Sequence, residues 1–255
     1  MNKKNVMMER MSWPEFAAEA KRNPVVFLPC GSTEQHGPHL PLAVDALLPT
    51  ALCRDVAEKV GGIVAPTLSF GYKSMPKSGG GPYFPGTLNL DATTLIATVH
   101  DVIRELVRHG ISKICAVVGH YENQWIVTEG IDLAMRECGA TGLRVMRLEY
   151  WDFCTEETFS QVFPDGFPGI ALEHAAVIET SLMMHYYPDM VRLDLIPDHA
   201  PADFPPYDMF PPHRDWVPSS GALTSAKGAS AAKGKIMAEQ VGKDIAAAIV
   251  KEFGS

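Results

Sequence analysis

KICAVVGHYENQWIVTEGIDLAMRECG, Lys113–Gly139, holds the stretch whose reading decides the fold. Its first part, Lys113–Val118, is a short and nearly continuous apolar run, the pattern of a strand buried on both faces. From Asn123 to Cys138 apolar residues return at helical spacing, and Gly139 supplies the stop. The unit is therefore β then α, and His120 and Glu122 stand in the turn between the two. Open parallel sheets bind their ligands outside the carboxyl ends of the strands. The turn is thus a candidate site before any other residue is considered.

The same order recurs on either side. Upstream, Val25 to Leu28 reads as a buried strand, Leu47 to Val60 as a helix stopped by Gly61-Gly62, and Ile63 to Leu68 as a second strand. A glycine-rich loop crosses residues 71–86, and Asp91 offers an N-cap to an amphipathic helix ending at Gly110. Downstream come a strand over Leu143 to Leu148 and helices over 173–187 and 226–253. Strands alternating with helices predict an α/β fold, a mostly parallel sheet covered by helices on both faces. At 255 residues a single domain, residues 1–255, accommodates all of it.

Composition narrows the function classes. The net charge of −8 comes with no cluster of Lys or Arg on any predicted element, which argues against nucleic acid or an anionic membrane as partner. No apolar run approaches the roughly 20 residues that span a bilayer. Residues 1–16 lack the apolar core of a signal peptide, so a cytoplasmic protein is expected. Five cysteines, an odd count without a C-x-x-C pair, indicate neither a disulfide framework nor a zinc knuckle. Pro197–Pro218 carries Phe204, Tyr207, Phe210 and Trp216, which suits either an ordered surface loop or a contact with another subunit.

The first strand ends in GSTEQHGPHLPLAVD, Gly31–Asp45, so a second cluster sits at a strand's carboxyl end. Glu34-x-His36 mirrors His120-x-Glu122, and in extended backbone residues two apart point to one side. With Asp45 the set comprises two imidazoles and three carboxylates, donors suited to zinc or manganese. Five donors exceed the need of one catalytic zinc, and three carboxylates with a hydroxide balance two divalent ions. Singly, any of these residues could cap a helix or close a turn. Ser78 and the glycines after it leave backbone N–H groups open to a ligand oxygen, although a plain flexible turn reads almost as well. No Walker or dinucleotide-binding pattern accompanies them. His174, read at a helix start, would have its pKa lowered by the macrodipole and so could take up a proton. Tyr121 would offer its backbone beside the metals.

The chain resembles the creatininase (creatinine amidohydrolase) family nearly end to end. The likeness rests on GSTEQHGPHLPLAVDALLPT, FGYKSMPKSGGGPYFPGT, GHYENQWIVTEGIDLA, EYWDF, LEHAAVIETS and FPPYDMFP. It implies a three-layer α/β/α subunit, assembled as a hexamer, with a binuclear centre of zinc or manganese. In that centre Asp45 would bridge the two ions, with Glu34 and His120 on one and His36 and Glu122 on the other. The implied reaction opens a small cyclic amide, creatinine to creatine or a close analogue. His174 would move the proton to the departing nitrogen, Glu173 would orient it or the pocket, and Trp151 would form an aromatic wall. Glu122 would also steer the proton.

One departure bears on the substrate. Creatininase proper carries a Trp-Asp pair just before the Glu-His motif, where this chain has Ile170 and Ala171. An aromatic lid and a carboxylate are both missing, while none of the expected metal ligands is altered. Other members of the fold cleave formamides and peptides, and a metal-stapled binding protein without catalysis is the alternative from another class.

Overall fold

A computed structural model of the chain describes residues 5–139 and 142–254. Four strands, β1 (Val26–Cys30), β2 (Ile63–Val64), β3 (Lys113–Val118) and β4 (Arg144–Glu149), form one sheet in the order β2-β1-β3-β4. All pairings are parallel, with Cys30 opposite Val118 and Val118 opposite Glu149. The chain leaves β1 toward one edge and β3 toward the other. The switch point, where α/β sheets open a crevice, therefore lies between these two strands.

Period-two alternation sends the two sets of strand side chains into separate cores. Phe27, Val64, Cys115, Val117 and Leu148 pack on one face, and Val26, Leu28, Ile63, Ile114, Ala116 and Val118 on the other. The first face is covered by α2 (Val44–Val60), α6 (Glu156–Val162), α7 (Val177–Tyr186) and α8 (Ala231–Phe253). The second lies under α1 (Trp13–Ala20), α4 (Ala92–Arg108) and α5 (Asn123–Cys138). The result is the expected three-layer α/β/α arrangement. A short α3 (Pro76–Gly79) stands in the glycine-rich loop. Among the described residues no helix is long and apolar enough to cross a membrane.

Several boundaries differ from the sequence reading, each for a local reason. The second strand ends at Val64, and Leu68 keeps only an isolated bridge to Cys30, because the next ladder donor on β1 would be Pro29, which has no N–H. The last helix starts at Ala231, where the Ser230 side chain accepts from the Lys233 N–H and caps it. The segment 173–187 is helical only from Val177. Most relevant to the site, α2 begins at Val44 rather than Leu47, so Asp45 lies in the first turn of a helix. Ala43 at its N-cap carries no capping side chain, and Pro49 lies inside it, so no sequence signal marks that start.

Candidate metal centre

Where β1 and β3 end side by side, the next residue of each is glycine. A Cβ on Gly31 would stand 2.3 Å from the backbone oxygen of Asp45, and one on Gly119 would stand 2.4 Å from the same atom. Only bare backbone at both strand ends allows the first turn of α2 to settle there. That carbonyl has no helical partner either, because four residues on stands Pro49, which has no N–H. The Asp45 carboxylate is thereby delivered between the two loops that the sequence marked.

The two histidines are each locked by a carbonyl. His36 donates from Nδ1 to the Glu34 carbonyl at 3.1 Å, which aims Nε2 at Asp45 Oδ1 (3.1 Å) and Glu179 Oε1 (3.5 Å). His120 donates from Nε2 to the Tyr72 carbonyl at 2.9 Å, which aims Nδ1 at Asp45 Oδ2 (3.1 Å) and Glu34 Oε1 (3.2 Å). Metal-binding histidines are habitually anchored in this way through the nitrogen that does not bind the ion. Despite their closeness to donor atoms, His36 Nε2 and Glu34 Oε2 are buried without a hydrogen bond. Ring nitrogens that face carboxylates this closely need a cation between them, a proton or a metal ion. Besides Glu34 with His36 and His174, two groups of donors meet that need, Glu34 with Asp45 and His120, and His36 with Asp45 and Glu179, the atoms of each group lying within 4.8 Å of one another. Asp45 belongs to both.

The electrostatics agree. Burial pushes Glu34 up to about 7, against the pull of His120. Burial would raise Asp45 as well, but His36 and His120 outweigh it and hold the carboxyl well below its usual range. Burial likewise disfavours charge on the two rings, yet Asp45 and Glu179 around His36, and Glu34 and Glu122 around His120, hold both above their ordinary values. This crowding of carboxylates attracts positive charge, and a divalent ion supplies it as well as a proton does.

The remaining residues named from the sequence fall around a cavity of about 410 Å³ that includes Glu34, Asp45 and His120 in its lining. Tyr121 and Trp151 stack at 6.5 Å between centroids and make one wall. Ile170 and Ala171, in a short 3-10 turn, line it too. Ser78 also lines it, but its hydroxyl donates to Glu122 Oε1 at 2.5 Å and is not free for a ligand. The same carboxylate oxygen accepts from the Met75 N–H at 2.6 Å. Glu122 therefore sits on the far side of His120, with Oε2 3.4 Å from its Nε2. The resemblance pairs Glu122 with His36; in this structure the carboxylate that faces His36 is Glu179, and Glu122 stands beside His120.

Glu179 was not singled out from the sequence. The available signal was a lone carboxylate in the first turn of α7, among the buried Val177, Ile178, Thr180 and Ser181. His174 lies in the turn before α7, its Nδ1 3.6 Å from Glu34 Oε1 and its ring centroid 4.4 Å from that of His36. Its pKa is lowered, as expected, but by burial first and His36 second rather than by a helix start. Glu173 is also buried, and burial pushes it up to about 8. It accepts from the Ile178 N–H at 2.8 Å, tying the turn to α7.

A parallel sheet opening at its switch point onto two donor groups that share a carboxylate defines a binuclear metal-dependent hydrolase site. The chain belongs to the creatininase family: the family model described as creatinine amidohydrolase matches residues 9–249. It is 49% identical to the creatinine amidohydrolase of Pseudomonas putida, over 98% of each chain. A manganese form of creatininase superposes with a TM-score of 0.96 at 48% identity, and a mutant creatininase complexed with creatine does so at 0.95 and 48%. Both cover 99% of this chain and all of the other.

Proposed function

We propose that this chain opens a small cyclic amide, creatinine or a close analogue, by hydrolysis of its C–N bond at a centre of two zinc or manganese ions. The observation that carries the reading is the shared position of Asp45 between two donor groups in the lining of the cavity. Its near-complete likeness to creatininases, among them manganese and zinc forms and a creatine complex, supports the same reaction class.

In this reading Glu34, Asp45 and His120 hold one ion, and His36, Asp45 and Glu179 the other. Bound ions of this kind lower the pKa of water and polarise a carbonyl. The chain's own residues do the rest. Tyr121 and Trp151 give a flat ring an aromatic wall and exclude water from one side of it. Glu122, fixed by Ser78 and Met75, holds a carboxylate beside His120 that can receive a proton. His174 meets the departing nitrogen, which leaves poorly as an anion and needs a proton first. The same reading makes the protein a cytoplasmic homo-oligomer, hexameric as the resemblance implies, and the exposed Tyr207, Met209 and Phe210 support such a contact.

Ile170 and Ala171 shape specificity. Neither can cover a ring as an aromatic lid does, and neither offers a carboxylate to a guanidine-like edge. The favoured substrate is accordingly an analogue of creatinine without a strongly basic exocyclic group. The test is kcat/KM of the metal-loaded protein on creatinine, hydantoins, lactams and formamides. Turnover of cyclic amides, lost with a chelator and restored by zinc or manganese, supports the proposal. Preference for an open-chain formamide or a peptide overturns it.

A further inference from the structure

Gln35 lies in the chain between Glu34 and His36, is buried, and has every polar atom of its amide engaged. Its Oε1 accepts from the Gly37 N–H at 2.9 Å. Its Nε2 lies 3.0 Å from the Gly79 carbonyl, 2.9 Å from the Gly221 carbonyl and 2.9 Å from His174 Nε2. The orientation of the amide is thus settled. Turning it over would set an oxygen against two carbonyls and an NH2 against an N–H.

An amide nitrogen donates and does not accept. The His174 nitrogen that faces it must therefore present a lone pair, sharing one of the two amide hydrogens with a carbonyl. The surroundings are shaped for this amide. A Cβ on Gly221 would stand 1.9 Å from Gln35 Oε1, and one on Gly80 would stand 2.7 Å from Nε2. No other residue fits at either place without displacing the glutamine.

We infer that Gln35 is the positioning residue for His174, fixing its neutral ring with the proton on Nδ1, the nitrogen 3.6 Å from Glu34 Oε1. The inference rests on the reading of His174 as the group that meets the departing nitrogen. A hydrogen bond to that nitrogen requires an N–H on the ring nitrogen that faces the centre, and this tautomer has it. The proton the departing nitrogen finally keeps is one released by the attacking water, since a neutral ring that gave up its only N–H proton would be left as an anion. Without the amide the proton is free to move to Nε2, and a lone pair then faces the site.

The tautomer is readable directly. In zinc-loaded protein carrying isotope-labelled histidine, proton–nitrogen correlations separate the two neutral forms. The wild-type spectrum should hold a ring protonated at Nδ1 that disappears in His174→Gln. In Gln35→Met, of similar length but without a donor, that ring should shift in part to the Nε2–H form. Its kcat should fall about tenfold or more, with KM and metal content unchanged. Gly221→Ala should reproduce the loss by displacing the amide. Gly228→Ala, at a similar positive φ of +98° with only Lys233 Nζ 4.0 Å away, should not. An Nε2–H ring in the wild type, or a Gln35→Met protein with unchanged tautomer and kcat, overturns the inference. If Gln35→Met does not fold, the wild-type spectrum decides alone. If the tautomer behaves as stated but no amide is hydrolysed, the functional reading falls and the positioning role stands.

Discussion

Replacing Gly119 by alanine puts one methyl group where the structure has no room for it. The new Cβ would lie 2.4 Å from the Asp45 backbone oxygen and 2.5 Å from Pro49 Cγ. Carbon atoms in good contact stand about 3.5 Å apart, so roughly 1 Å of separation is missing. Neither obstacle is a flexible side chain that can rotate away: one is helix backbone and the other a proline ring. The first turn of α2 must retreat from the sheet, and overpacking of this kind costs about 2–3 kcal/mol. For a chain of this size that lowers the melting temperature by about 4–12 °C. The retreat also withdraws Asp45 from His36 and His120, so metal content should fall together with stability. Thermal unfolding with a chelator present isolates the packing term, and elemental analysis of the purified protein reports the metal. Gly139→Ala is the control, since among the described residues nothing lies within 4 Å of its Cβ. A Gly119→Ala protein that melts within about 2 °C of the wild type and keeps its full metal complement would refute the close-approach reasoning.

Three further outcomes are expected. Glu179→Gln should lose about one of the two ions per chain by elemental analysis, whereas Glu122→Gln should keep both, because only Glu179 faces His36 and Asp45. Glu173, pushed from 4.5 up to about 8 by burial, binds its proton more tightly in the folded chain, so its contribution is present at low pH and is lost as pH rises through about 8. Between pH 6 and 8 that amounts to about 2 kcal/mol of stability, and denaturant titrations should show the loss in the wild type and its absence in Glu173→Gln. Ile170→Trp with Ala171→Asp should raise kcat/KM on creatinine about ten- to a hundredfold, the worth of one charge-assisted hydrogen bond. No gain in the steady-state rates would remove these two positions from the account of specificity.

The parts legible in the sequence are those where one local signal suffices. β3 and α5 fall on the residues expected of them because a continuous apolar run and a glycine stop leave no rival reading. Glu34, His36, Asp45 and His120 stand together because two strand ends bring them there, a consequence of parallel topology rather than of spacing alone. Glu179 was hidden by distance along the chain: nothing in a first-turn glutamate shows which side of α7 meets the sheet. Gln35 was hidden in a different way. Its role depends on two carbonyls and a histidine from three separate loops, none of them detectable from the glutamine's own neighbours. The helix start at Val44 was obscured by Pro49, whose missing N–H argues against a helix until the strand-end glycines around Asp45 are seen.

The shared carboxylate is tested most directly by anomalous X-ray scattering at the zinc edge from crystals of zinc-loaded protein. Two peaks should flank Asp45, one bounded by Glu34 and His120 and the other by His36 and Glu179. A single peak, or a second peak bound by Glu122 with Glu179 left free, would contradict the arrangement.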